Sequence, residues 1–278
     1  VNDAEVELLT QTLRRTMTGT ASGAALDAAL AGLGWAELLA EFPAVAIPTV
    51  FRLLGETGAH APVLNDVVLT AAGRPGGGTV RLPYSGGSWV VWERGAAATG
   101  RTLDEDLPLR PVPADGPGPV PELLARPDST AASVPVAAGR RAVGWWLLGT
   151  GHAMLGLART HALDRVQFGR PLAAFQAVRH RLAETLVALE GAEAALTAAG
   201  DDLGSLLAKA AAGQAALTAA RHCQQVLGGI GFTAEHPLHR HVRRALVLDG
   251  LLGSARELTR EAGALVRAKG TAPRLVQL

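Results

Sequence analysis

Beyond residue 140 the apolar residues recur at the spacing of a helix and not at the alternation of a strand. Between residues 174 and 199, Phe175, Val178, Leu182, Leu186 and Leu189 fall three or four apart and form one stripe. Segments 142–163, 203–227 and 241–266 carry the same signal, the last weakened by Gly250 and Gly253. Long amphipathic helices with short joins bury such stripes against one another. An antiparallel four-helix bundle is therefore expected over residues 140–278, holding most of the core.

Residues 1–72 repeat the helical pattern in shorter pieces. Val6, Leu9 and Leu13, then Leu26, Leu30 and Leu33, then Val50, Leu53 and Leu54 are separated by glycines and prolines, which predicts three or four helices. The character changes over residues 73–139. "TVRLPYSGGSWVVW" reads as two short strands around a Ser-Gly-Gly-Ser turn. About half of the 16 prolines then fall between Pro108 and Pro135, a stretch expected to hold no helix and at best an edge strand. The expected fold is mainly α with a small β module, in three parts: an N-terminal helical domain (1–72), a reduced β and irregular middle (73–139) and the bundle (140–278).

Composition narrows the function. A net charge of +1 over 278 residues, with no block of like charge, argues against a nucleic-acid partner. No apolar run reaches the ~20 residues that cross a bilayer, and residues 142–157 are interrupted by Gly, Thr and His. The polar, acidic N-terminal stretch is unlike a signal peptide. One cysteine, Cys223, permits no internal disulfide. A cytoplasmic protein away from membranes is expected.

Two stretches carry chemistry. In "CQQVLGGIGFTAEHPLHRHVRRA", Gly228, Gly229 and Gly231 follow a long helix, so they match neither a dinucleotide loop after a strand nor a Walker loop. A helix C-cap accounts for one glycine. Three in four residues imply that something approaches the backbone closely. In "LDRVQFGRPLAAFQAVRHRLAE", Arg179 and Arg181 read as helix-surface charges, whereas Arg165, beside Phe168 and Gly169, suits a phosphate or a flat ring. His236, His239 and His241 lack a further ligand at metal spacing, so they are expected at the surface or at a helix start, with His239 lining an interface and no metal bound.

Together these stretches resemble the C-terminal bundle of flavin-dependent acyl-CoA dehydrogenases, where R-x-x-F-G-x-x-x-x-x-x-Q and Q-x-x-G-G-x-G touch FAD. Both motifs are complete: Arg165, Phe168, Gly169 and Gln176 in the first, and Gln225, Gly228, Gly229 and Gly231 in the second. The resemblance extends to the N-terminal helices, through "GLGWAELLAEFP" and "LLGETGAHAPVLNDVVLTAAG". It implies FAD as cofactor, bound through Arg165, Phe168, Gln176, Gln225, Val226, Gly228 and Gly229. It further implies that these residues complete the flavin site of a neighbouring chain.

Two departures qualify the resemblance. The middle segment is shorter than the family's β-barrel and lacks its threonine- and serine-bearing flavin loop. The family's catalytic Glu, which precedes Gly-Thr or Gly-Ser, is replaced by Leu252 before Gly253-Ser254, and "AAGRRAVGWWLL" offers no acid at the family's alternative position. An alkyl group takes no proton, and Asp249, one turn earlier, is a weak substitute. The resemblance thus implies the non-base subunit of a heteromeric dehydrogenase, active only with a base-bearing partner, in an α2β2 assembly. Its substrate would be an acyl-CoA, such as a steroid side-chain thioester, and its electron acceptor an electron-transfer flavoprotein. Two alternatives remain open: a self-sufficient homo-oligomer using Asp249, and a flavin-free scaffold.

Overall fold

The computed structural model describes residues 2–95, 104, 106–113 and 130–270. Five helices come first: α1 (Asp3–Gly19), α2 (Ala24–Gly32), α3 (Trp35–Glu41), α4 (Pro43–Thr57) and α5 (Val63–Ala71). This exceeds the expected three or four. The chain turns twice more than its periodicity suggested, at Gly34, which is left-handed, and at Phe42, where Pro43 opens α4. The expected hairpin is present as β1 (Arg81–Tyr84) and β2 (Ser88–Trp92), paired antiparallel around Ser85–Gly87. β3 (Leu109–Val112) adds to β2 as an edge strand, the one position where Pro111 is tolerated.

The bundle follows: α6 (Thr130–Asp164), a hairpin of β4 (Val166–Gln167) and β5 (Arg170–Pro171), α7 (Gln176–Ala198) and α8 (Asp202–Leu227). Its last member is two helices, α9 (Leu238–Gly250) and α10 (Ala255–Lys269), which corrects the single helix expected over residues 241–266. The reading of residues 108–135 as non-helical is also corrected at its end. Pro135 lies inside α6, near its start, where a missing N–H forfeits little of a 35-residue helix. The rest of that expectation, over residues 114–129, lies outside the described residues.

Two features lock the parts together. Gly55 of α4 and Gly149 of α6 bring the backbones into contact: a Cβ on Gly149 would meet Arg52 O, and one on Gly55 would meet Trp146 O. A column of aromatic rings then runs from the N-terminal helices through the bundle to the sheet. Trp35 lies 6.5 Å from Phe51, Phe51 6.0 Å from Trp146, Trp146 stacks on Trp92 at 5.8 Å, and His60 caps the column 6.0 Å from Trp92. Phe51, Trp146 and Trp92 are essentially inaccessible, so this column is the centre of the core. No helix of the described residues is long and apolar enough to cross a membrane.

Candidate functional site

Where α6 ends, Arg165 N donates to His161 O at 2.9 Å and the chain enters the two-residue hairpin. Such a turn requires positive φ at both central residues. Gly169 (φ 77°) adopts it freely, whereas Phe168 (φ 53°) does so at a cost of roughly 1–2 kcal/mol. This strained aromatic ring is 91% exposed, set edge to face with Phe175 at 6.1 Å, over which Arg170 stacks at 4.2 Å. Folding alone gives no reason to hold an apolar ring there. Arg165 and Gln176, the first residue of α7, are exposed beside it.

The glycines at the end of α8 divide by cause. Gly228 (φ 66°) caps the helix, donating its N–H to Gln224 O. Gly231 is buried, and a Cβ there would lie 2.8 Å from Leu227 Cβ. Gly229 answers to neither requirement: it is exposed, has φ outside the left-handed region, and a Cβ would meet nothing within 4 Å. Its bare backbone therefore suits approach from outside the chain. Gln225 is exposed in the preceding turn. The Val226 side chain belongs to the core at 8% exposure, so a contact at this residue would be made by its backbone.

Topology brings these residues to one end of the bundle. α6 finishes and α7 starts there, and α8, antiparallel to α7 after a three-residue join, finishes there too. Arg165 also lines a cleft of about 690 Å³ between α6 and the start of α9, with His161, Asp164, His236 and His241. The His161 and His236 rings meet edge to face at 6.5 Å. The cleft was not foreseen, although the spacing of four between His161, in the last turn of α6, and Arg165, just beyond its end, was legible. His241, expected at the surface or at a helix start, lies in the first turn of α9 and is half-buried against Gly58, and burial beside Arg244 and Arg240 pushes its imidazole down to about 4. A forked guanidinium, exposed backbone N–H groups and an unpacked aromatic ring are the donor set that a dinucleotide's pyrophosphate and ring systems require. The residues present fit such a group.

The turn between α9 and α10, where the resemblance places the catalytic acid, is closed. Leu252 (φ 61°) and Gly253 (φ 100°) are both left-handed, and a capping box of Ser254 and Glu257 restarts the helix. Lys209 of α8, fully buried, donates its Nζ to Asp249 O at 2.5 Å and to Gly253 O, while Arg140 Nε donates to Leu252 O at 3.2 Å. Outside, strand β1 seals the turn: Leu252 N donates to Pro83 O at 2.8 Å, and Gly86 N to Glu257 Oε1 at 2.8 Å. The Leu252 side chain is 2% exposed, packed so closely on α6 that a Cβ on Gly139 would lie 2.8 Å from its Cδ1. Asp249 Oδ1 accepts the Ala255 N–H at 3.0 Å, which ties this carboxylate to the start of α10.

The fold and this surface define a three-part helical protein that presents a nucleotide-type donor set outward and buries Leu252 in a closed turn between α9 and α10. Residues 130–264 match the family described as acyl-CoA dehydrogenase, C-terminal domain. The acyl-CoA dehydrogenase FadE34 of Mycobacterium tuberculosis is 35% identical over 207 residues, which is 69% of this chain and 28% of FadE34. Two solved structures superpose over nearly the whole chain. A variant of the Tcur3481–Tcur3483 steroid ACAD has a TM-score of 0.72 at 20% identity, covering 96% of this chain and 99% of that one. The ChsE4–ChsE5 complex of M. tuberculosis has a TM-score of 0.71 at 20% identity, covering 98% and 99%. The chain is a member of the acyl-CoA dehydrogenase family. It spans 28–37% of the length of the curated relatives it matches.

Proposed function

We propose that this chain is the non-base subunit of a heteromeric, FAD-dependent acyl-CoA dehydrogenase, and that it completes the flavin site of a base-bearing partner. The observation that carries this reading is the closed α9–α10 turn. Leu252 fills the acid position and is packed against Gly139, while strand β1 covers its backbone. At the other end of the bundle, Arg165, Phe168, Gln176, Gln225 and Gly229 stand exposed, with no service to the fold that explains Phe168 or Gly229.

FAD, when bound, supplies the hydride acceptor of the desaturation. This chain's part is to grip the cofactor. Arg165 and the exposed backbone at Gly229 would hold the pyrophosphate, and Phe168 would give a ring face to pack against. The α-proton of the acyl-CoA must go to a carboxylate of the partner, since the turn here has none to offer. An α2β2 assembly reducing an electron-transfer flavoprotein fits this division of labour. A bulky acyl group such as a steroid side chain is the substrate class suggested by the steroid ACAD relative.

Co-expression with a base-bearing dehydrogenase chain, against each chain alone, tests the reading. Flavin absorbance and acyl-CoA oxidation are expected only from the pair. In the pair, Arg165→Ala should lower bound FAD about tenfold or more, the loss of one charge-assisted contact of ~1.5–3 kcal/mol. Full activity of this chain alone would point to a self-sufficient enzyme. Unchanged FAD content in the Arg165→Ala pair would point to a scaffold.

A further inference from the structure

We propose that His152 of α6 with Glu190 and Glu193 of α7 forms a divalent transition-metal site, with zinc as its expected occupant, joining the first two helices of the bundle. His152 lies 12 residues before Asp164, where α6 ends next to Arg165, which is ~18 Å along the helix at 1.5 Å per residue. The site is therefore separate from the cofactor surface and independent of the proposed function.

The ligand set comes from facing helices, as in metal-binding bundles generally. One nitrogen of His152 and one oxygen each of Glu190 and Glu193 lie within 4.8 Å of one another. The His152 Nε2 is completely buried, yet has no hydrogen-bond partner among the described residues, and its nearest carboxylate oxygen, Glu193 Oε2, stands 3.9 Å away. Two observations favour a metal over a simple ion pair. First, Glu193 uses Oε1 for Arg52, at 2.5 Å, which leaves Oε2 on the His152 side. A ligating carboxylate is commonly oriented by such an outer hydrogen bond. Second, the local charge is unbalanced. Arg52 and Arg14 stand against Glu56 and Glu193. Glu190 has no ion pair among the described residues, so it remains as a surplus carboxylate.

One imidazole and two carboxylates suit zinc, with ligand distances of about 2.0–2.2 Å and water in a fourth position. Contraction from 4.8 Å asks about 1 Å of movement from each side chain. The exposed Glu190 and half-exposed Glu193 can supply it by changing rotamer. An adjoining cleft of about 430 Å³, lined in part by Trp145, Arg52 and Glu193, gives an ion a way in.

The test uses the full chain, stripped with a chelator and titrated with zinc against a chromophoric competitor. One equivalent of zinc per chain is expected, with a melting temperature that rises with free zinc. Glu190→Gln, an exposed substitution that leaves the fold intact, and His152→Asn should each weaken binding about tenfold or more. Three results would overturn the site: no stoichiometric zinc, wild-type affinity in both variants, or a loss that follows His236→Asn instead.

Discussion

At the scale of single residues, Leu252 and Lys209 close the turn between α9 and α10. Leu252, which the family resemblance aligns with the acid, is a buried alkyl group in a left-handed conformation. Lys209, whose burial pushes its ammonium down to about 7, ties together two carbonyls of the surrounding turn. Restoring the acid alone is therefore expected to fail. Leu252→Glu should destabilise the chain by roughly 2–4 kcal/mol in urea unfolding, because a carboxylate would replace a packed side chain in the interior. It should confer no acyl-CoA oxidation on the isolated chain. Robust activity from that single change would mean that the turn opens far more readily than its hydrogen bonds suggest.

At the scale of elements, the fold is most exacting where backbones meet. Gly149 lets α6 lie directly on Arg52 of α4. Gly149→Ala should cost about 2–4 kcal/mol, visible as a lower denaturation midpoint, because neither helix backbone can yield without disturbing the aromatic column between them. At the α9–α10 break, Gly253→Ala adds a strained φ of 100° to a contact 2.8 Å from Leu258 Cδ2. A loss of about 1–3 kcal/mol is expected there. The hairpin at residues 166–171 should behave in the opposite way. Phe168→Gly relieves a positive φ and removes an exposed ring, so it should leave stability unchanged or slightly improved while weakening cofactor capture by the assembled pair. Stability and binding moving in opposite directions would mark Phe168 as a residue kept for a ligand.

At the scale of the whole molecule, the contact between the N-terminal helices and the bundle carries a pH dependence. His60, 8% exposed, and His241 are both pushed down to about 4, burial being the larger cause and Arg244 the next. Both are neutral in the folded chain and would take a proton near 6.5 once unfolded. Their contribution is therefore complete above pH 6.5 and is lost as pH falls toward 4, where the unfolded chain binds more protons than the folded one. His60 alone accounts for roughly 2–3 kcal/mol over that window at 1.36 kcal/mol per pKa unit. Unfolding free energies measured from pH 7 to 4 should show this loss, and His60→Gln should flatten part of it. A profile flat across the window would refute the buried, neutral assignment.

The bundle, the β hairpin and the edge strand were legible in the sequence, since each depends on local pattern. Helical stripes, a Ser-Gly-Gly-Ser turn and glycines past a helix end are dictated by residues within a few positions of one another. Four matters were decided only by tertiary structure: the break of the last helix, the burial of His241 and Val226, the sealing of the Leu252 turn by β1, and the meeting of His152 with Glu190 and Glu193. Each rests on groups distant in sequence, as when Lys209 bonds carbonyls 40 and 44 residues away. Local propensity acts along the chain, whereas burial, charge pairing and closure of a turn depend on which surfaces the packed chain sets against each other, and that is settled only when the whole core forms.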